Sequence, residues 1–199
     1  MKKILALLFS VVTLAASAQW GRSERVTGNG NLKKETRSVG NFKAVASAGS
    51  MNVQLAYGKP GSVTVEADEN LLEYIETKVE NNTLKIGTRN YVSIRSSQKI
   101  TVYVTVDQLE GVSVAGSGKV ILKGKADQVN VNISGSGNVE CSELVAQRVK
   151  INVTGSGNTR VHADQTLEVN VLGSGNVSYK GNARDIVKHS AGSGKVTRL

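Results

Sequence analysis

Apolar and polar residues alternate along several short segments of the chain. In residues 129–133, 149–153 and 167–171 every second residue is Val, Ile or Leu, and the residues between them are polar. An alternation with a period of two places one set of side chains on each face of a β-strand. The pattern therefore predicts strands that bury one face and expose the other.

The same tripeptide, Gly-Ser-Gly, follows each of these segments. It begins at positions 116, 135, 155, 173 and 192, so that its copies are 19, 20, 18 and 19 residues apart. Asn or Lys and a second short apolar segment come after it, and Asp-Gln or Ala-Gln precedes the next long segment. The repeating unit is a strand, a glycine bend, a second strand and a corner.

A unit of about 19 residues is typical of one coil of a β-solenoid. We therefore predict an all-β fold, a parallel β-helix whose coils stack about 4.8 Å apart to form a rod roughly 25 Å long. Glycine is expected at each bend because it adopts a positive φ. These structural bends comprise Gly116, Gly118, Gly135, Gly137, Gly155, Gly157, Gly173, Gly175, Gly192 and Gly194. On this reasoning, valine at Gly137 or Gly157 is expected to destabilise the fold by roughly 1 to 3 kcal/mol.

Residues 39–110 predict a second β region, continuous with the repeats of residues 111–199. Asn81-Asn82 lies between two apolar segments and indicates a hairpin. Asp68 is placed to cap one helical turn that starts after it. Residues 91–98 are polar and are expected to form a loop before a strand in residues 99–106.

These features resemble a known family. The segment Phe42-Lys43-Ala44-Val45, the blocks at residues 68–72 and 83–86, and the repeated Val-x-Val-x-Gly-Ser-Gly-Asn are similar to the putative auto-transporter adhesin head GIN domain family of Bacteroidetes-type bacteria. The similarity extends over residues 39–199. It implies an exported, all-β, right-handed helical fold and an adhesin-like role, and it brings no catalytic residues.

The N-terminus carries an export signal. Lys2 and Lys3 precede an apolar stretch too short to span a bilayer, and Ala16-Ser17-Ala18 has the form that signal peptidase cleaves. We predict a signal peptide over residues 1–18 with cleavage after Ala18, followed by a flexible leader over residues 19–38. The destination is the periplasm, the outer surface or the medium, and the later sequence predicts no transmembrane segment.

The charge and aromatic content of the chain limit the classes of partner that it is expected to bind. The chain contains 25 basic and 16 acidic residues, which give a net charge of +9. Cleavage after Ala18 would leave a net charge of +7. Only 4% of the residues are aromatic, and the basic residues are dispersed, so nucleic acid is not an expected partner. Acidic glycans or lipid phosphates are simpler partners for such a charge, and solubility alone also explains it. Cys141 is the single cysteine, which excludes an internal disulfide and favours a buried thiol.

Motifs for catalysis and cofactors are weak. Gly116-Ser117-Gly118-Lys119 lacks the first glycine and the final Ser or Thr of a phosphate-binding loop. Carboxylates are too sparse in the bends for calcium, and His162, His189 and Cys141 are too scattered for a transition metal. Asp107 and Asp127 lie one repeat apart, as a glycosidase pair would, but they recur where a turn needs aspartate. We expect no cofactor, no metal and no catalytic site.

One set of polar residues forms a candidate binding face. The residue three positions before each bend is polar, and together these residues would form a column on one outer face. The column comprises Ser113, Asn132, Asn152, Asn170 and His189. It would either bind a partner or simply be hydrated.

The sequence thus predicts an exported, non-enzymatic protein that binds ligands such as envelope or host glycans or surface proteins. A structural or regulatory envelope component without a ligand of its own is the alternative, and a carbohydrate-active enzyme is the third. The oligomeric state is not encoded in any recognisable pattern.

Overall fold

A computed structural model describes residues 24–199, so the predicted signal peptide and its cleavage after Ala18 lie outside the described residues. Strands contain 70% of the described residues and helix 3%, which confirms the all-β prediction. The strands are β1 (Glu24–Thr27), β2 (Leu32–Ser38), β3 (Ala44–Gly49), β4 (Asn52–Tyr57), β5 (Ser62–Asp68), β6 (Ile75–Glu80), β7 (Thr83–Thr88), β8 (Val92–Arg95), β9 (Thr101–Val106), β10 (Gly111–Gly116), β11 (Lys119–Leu122), β12 (Gly124–Gly135), β13 (Asn138–Gly155), β14 (Asn158–Gly173), β15 (Asn176–Lys180), β16 (Asp185–Ala191) and β17 (Val196–Arg198).

Fifteen of these strands form one sheet that closes almost completely on itself around the core. On one side, β3, β10, β12, β13, β14 and β16 follow one another in parallel. On the other side, β4, β11, β13, β14, β15 and β17 do the same. Equivalent positions of successive repeats are paired, as in Gly116 with Gly135 and Gly135 with Gly155. The repeats found in the sequence therefore lie directly on one another.

The core consists of the inward residues of these strands, which stack in columns of similar side chains. One column contains Val45, Val112, Val131, Ile151 and Val169, each at most 1% exposed. Such narrow columns suit β-branched residues, which pack well on a pleated surface. This explains how a chain with few aromatic residues fills its interior.

The two glycines of each Gly-Ser-Gly bend are needed for different reasons. The first has φ between +111° and +123° in all five bends. The second does not have a positive φ, but a Cβ on it would press against the layer below; on Gly157 it would lie 2.5 Å from the carbonyl oxygen of Gly137. The positive φ expected for Gly137 and Gly157 is therefore wrong, because close stacking of the layers restricts these two positions.

Residues 24–38, expected to belong to a flexible leader, contain two strands. β1 pairs in parallel with β8, and β2 pairs with β5 in an antiparallel manner. The expected loop of residues 91–98 likewise contains β8. Each of these polar segments becomes a strand because a partner strand distant in sequence supplies its hydrogen bonds. The hairpin at Asn81-Asn82 is confirmed by the β6–β7 pairing, and both asparagines have a positive φ.

Asp68 joins three segments of the chain and does not cap the 3₁₀ helix (Glu69–Tyr74) that follows it. Its carboxylate is fully buried and accepts hydrogen bonds from the Gly30 N–H (2.7 Å), the Ser96 hydroxyl (2.6 Å) and both the N–H (3.0 Å) and hydroxyl of Ser97. Burial acts to raise the pKa of Asp68, but these donors favour the ionised form and lower it to about 2. The ionised carboxylate therefore fastens the N-terminal loop and the loop after β8 to the end of β5.

No helix among residues 24–199 is long and apolar enough to span a bilayer.

Candidate functional site

The predicted polar column lies on an outer face made of eight adjacent strands. Their order is β6, β7, β3, β10, β12, β13, β14 and β16, and every contact except that between β6 and β7 is parallel. Outward residues on these strands alternate with the core residues. Any side chain at the same step of each repeat is therefore aligned with its copies across the sheet.

The structure brings all five residues of the polar column into register. Ser113 pairs with Asn132, Asn132 with Asn152, Asn152 with Asn170, and Asn170 with His189. The side-chain amide of Asn152 donates a hydrogen bond from Nδ2 to Oδ1 of Asn132 at 3.0 Å. The side-chain amide of Asn170 donates in the same way to Oδ1 of Asn152 at 3.0 Å. The three asparagines thus form a hydrogen-bonded ladder on the protein surface.

The ladder borders a groove of about 620 Å³. Small side chains form its floor: Ala46 and Ala48 of β3, and Ser113 and Ala115 of β10. Longer side chains rise on either side, those of β6 and β7 on one and those of β12 and β13 on the other. The groove exists because small outward residues lie between two strands with long ones.

The side of the groove formed by the β6–β7 hairpin is not predicted by the sequence repeats. Lys78 and Lys85 line it together with Glu76 and Glu80, and all four come from the β6–β7 hairpin, which has no Gly-Ser-Gly bend. A usable signal was the run of small residues at alternate positions 44, 46 and 48, which leaves space on the outer face. Conversely, Asn170 and His189 continue the polar column but do not line the groove.

Charged residues on this face are paired with one another. The Nζ atom of Lys85 lies 2.6 Å from Oε2 of Glu80, and that of Lys78 lies 3.2 Å from Oε1 of Glu76. The Lys85 ammonium holds the pKa of Glu80 below its ordinary value through a hydrogen bond and its charge. Such exposed pairs contribute little to stability. They do leave the groove without an excess of either charge, although the chain as a whole is basic.

A second asparagine ladder provides a comparison. Asn138, Asn158 and Asn176, the residues directly after three bends, are linked by amide hydrogen bonds of 3.1 Å. These bonds join asparagine copies that lie one repeat apart. The second ladder lies on β13, β14 and β15, on the other side of the sheet from the groove.

The other candidates form no centre. Among residues 24–199, no three His, Cys, Asp or Glu side chains are grouped so that they would hold a metal ion. Asp107 lines a second groove with Asp127, and its carboxylate accepts a 2.7 Å hydrogen bond from the N–H of Gln108, as a turn residue does. Nε2 of His162 lies 3.1 Å from Oδ1 of Asp164, so this imidazole forms a local hydrogen bond with the second residue after it.

Cys141 is 1% exposed and pairs with the buried Val161 of β14 in the core. Burial, aided by the charge of Glu140, raises the pKa of its thiol to about 12. We expect the folded protein to react with a thiol reagent such as DTNB at pH 8 at least about 100-fold more slowly than the protein in guanidinium, because thiolate is the reactive form. Comparable rates in both conditions would show that the thiol is accessible.

The geometry agrees with comparisons to known proteins. A family model described as "Putative auto-transporter adhesin, head GIN domain" matches residues 41–123 and again residues 111–183. The chain belongs to this family. The second matched region begins at the first residue of β10, where the Gly-Ser-Gly repeats start. A search among curated proteins found no match.

Solved structures share the fold of this chain. A putative adhesin from Bacteroides fragilis NCTC 9343 is 18% identical and covers 87% of this chain and 100% of its own, with a TM-score of 0.59. A putative lipid binding protein from Parabacteroides distasonis ATCC 8503 is 22% identical and covers 88% and 100%, with a TM-score of 0.54. At these identities the likeness concerns the fold.

Proposed function

We propose that this GIN domain protein is an exported, non-enzymatic right-handed β-solenoid that binds a ligand in the groove beside the Asn132–Asn152–Asn170 ladder. The proposed organisation is a cleaved signal peptide, an N-terminal β region over residues 39–110 and solenoid coils over residues 111–199. The family supports an adhesin role and a place in the envelope or outside the cell. The parallel registers of the repeats support coils of about 19 residues.

The observation that carries this proposal is the arrangement of the ladder amides. An asparagine side chain has two N–H donors and two acceptor positions. Asn152 uses one donor toward Asn132 and one acceptor position toward Asn170, so one of each is left. Asn132 and Asn152, which line the groove, therefore present donor and acceptor positions side by side along it.

The ligand class follows from this chemistry. A sugar hydroxyl both donates and accepts, so a row of amides is complementary to a hydroxyl-rich chain. The paired lysines and glutamates of the hairpin give no net attraction to an anion. We therefore propose a neutral glycan of the envelope or of a host surface as the ligand.

Valine replacement of both ladders tests the proposal. The triple variant Asn132→Val, Asn152→Val, Asn170→Val removes the polar groups beside the groove, while Asn138→Val, Asn158→Val, Asn176→Val removes an equal ladder from the other side. Binding to neutral glycans on an array is expected to fall by about 10- to 100-fold in the first variant, since each lost hydrogen bond costs about 0.5 to 1.5 kcal/mol. The second variant is expected to bind like the unmodified protein.

Equal losses in the two variants would indicate a general structural effect and contradict the assignment of the groove. Binding that is restricted to acidic glycans and disappears in 0.5 M NaCl would contradict a neutral ligand. The absence of binding to any glycan would contradict the proposed function as a whole. Release of reducing ends from a bound glycan would show an enzyme.

A further inference from the structure

Positive charge is concentrated at one end of the molecule. Residues 24–179 contain 17 basic and 15 acidic residues, whereas residues 180–199 contain five basic residues and one acidic residue, Asp185. The C-terminal tenth of the chain thus supplies most of the net charge of the described residues. The five basic residues, named here the basic edge, are Lys180, Arg184, Lys188, Lys195 and Arg198.

The basic edge coincides with the last strands of the sheet. β16 pairs with β14 alone and β17 with β15 alone, so one side of each is unpaired within residues 24–199. Lys180 ends β15, Arg184 precedes β16, and Lys195 precedes β17. Among the described residues none of the five basic side chains forms a salt bridge, although nine Lys or Arg side chains elsewhere do.

Two of the five residues have a structural role. Lys188 and Arg198 are aligned with the buried residues Val169 and Tyr179 of the layer before. The Lys188 ammonium lies 3.0 Å from the Tyr179 hydroxyl and 4.7 Å from the centre of its ring, while Arg198 donates to the carbonyl of Gly181 at 2.9 Å. Charged residues at inward positions of an edge strand hinder pairing with another chain. These two residues therefore close the end of the core.

The other three are not explained in this way. The side chains of Lys180, Arg184 and Lys195 make no hydrogen bond to another residue among those described, and Arg184 and Lys195 are exposed. Exposed apolar side chains accompany them: Val187 is 49% exposed and Leu199 is 68% exposed. Cations and apolar side chains thus share one edge of the molecule.

We propose that the basic edge docks on the surface of an anionic lipid bilayer. Each Lys or Arg near such a surface gains about 1 kcal/mol from the negative surface potential. Val187 and Leu199 would enter the boundary between headgroups and acyl chains, as apolar residues of peripheral proteins do. A polyanion such as nucleic acid fits less well, since residues 180–199 contain no Phe, Tyr or Trp on which bases would stack. Docking by this edge leaves the groove on the side of the sheet free.

Vesicle co-sedimentation tests the proposal. The purified protein is mixed with vesicles of phosphatidylcholine alone or with 30% phosphatidylglycerol, in 50 mM and 500 mM NaCl. We expect binding to the anionic vesicles at low salt and its loss at high salt. The variant Lys180→Gln, Arg184→Gln, Lys195→Gln is expected to bind roughly 100-fold more weakly, because each charge contributes about fivefold.

A control variant has the same net charge as the triple variant of the basic edge. Lys59→Gln, Lys99→Gln, Lys125→Gln removes three exposed lysines away from the edge, and it is expected to keep most of the binding. Circular dichroism of both variants checks that they fold. The asparagine variants of the groove are expected to bind vesicles normally, so that failure of the glycan proposal and failure of this one are distinguishable.

Three results would overturn the proposal. Equal weakening by the control variant would show attraction by total charge without a docking edge. Equal binding to vesicles with and without phosphatidylglycerol would exclude an anionic surface as the partner. Binding to polyphosphate or duplex DNA without binding to vesicles would identify a soluble polyanion as the partner of the edge.

Discussion

Replacement of Gly155 by Ala is expected to lower the free energy of unfolding by about 3 kcal/mol or more. Gly155 has φ of +118°, which is costly for a residue with a Cβ. The added Cβ would also overlap the carbonyl oxygen of Gly135 in the layer below. Because this carbonyl belongs to a paired strand, the neighbouring layer would have to shift. Urea denaturation followed by circular dichroism measures the effect.

Three further glycine variants separate the two causes. Gly61 has an almost identical φ of +120° but open space around the Cβ position, so Gly61→Ala is expected to cost only about 1 kcal/mol. Gly157 has the close contact without a positive φ, and Gly157→Ala is expected to cost about 2 kcal/mol. Gly40 has neither feature, and its replacement is expected to change stability by less than about 1 kcal/mol. Equal costs for Gly155→Ala and Gly61→Ala would refute the role of close stacking.

Asp68→Ala is expected to destabilise the fold by about 3 kcal/mol. It removes a buried charged acceptor from the N–H groups of Gly30 and Ser97, and a hydrogen bond to a charged group contributes about 1.5 to 3 kcal/mol. Asp107 is an exposed carboxylate with one hydrogen bond in a turn, so Asp107→Ala serves as the control and is expected to cost less than about 1 kcal/mol. A similar cost for both would show that the Asp68 cluster adds nothing beyond a local turn.

The same residue produces a defined acid dependence. The pKa of Asp68 is lowered to about 2 in the folded protein, whereas an unfolded aspartate has a pKa near 3.9. The stability from its ionised form is therefore present above about pH 4 and lost as the pH falls toward 2. We expect unfolding midpoints measured between pH 5 and pH 2 to fall less steeply for Asp68→Asn than for the unmodified protein. Parallel curves would show that Asp68 titrates normally.

The repeats were predictable because each one is encoded locally. Gly-Ser-Gly, the alternation before it and the asparagine after it recur at one interval, so residues such as Asn132 and Asn152 could be aligned from their distance to the bend alone. The structure places them in register and adds the hydrogen bonds between them. The periodicity of the sequence was therefore sufficient to predict the polar column of the candidate site.

The remainder depends on contacts between residues far apart in sequence. β8 forms only because β1, some 68 residues earlier, pairs with it, and neither segment has a strong strand pattern. The groove similarly needs Lys85 of β7 next to β3 and Lys78 of β6 next to Lys85, and β7 reaches β3 in a different order from the later repeats. Asp68 looked like a helix cap because the donors it binds, Gly30 and Ser97, lie 38 and 29 residues away.

One layer of the sheet shows how much the bends tolerate. β7 and β9 pair with β3 and β4, yet residues 89–100 connect them, where β3 and β4 are joined by Ser50 and Met51 alone. A longer connection thus projects from the corner without disturbing the strands on either side. The corner of this layer is therefore the natural point for loop insertion, whereas the Gly-Ser-Gly bends are restricted by the layer on which they stack. An engineered peptide placed within residues 89–100 would be displayed beside a rigid support.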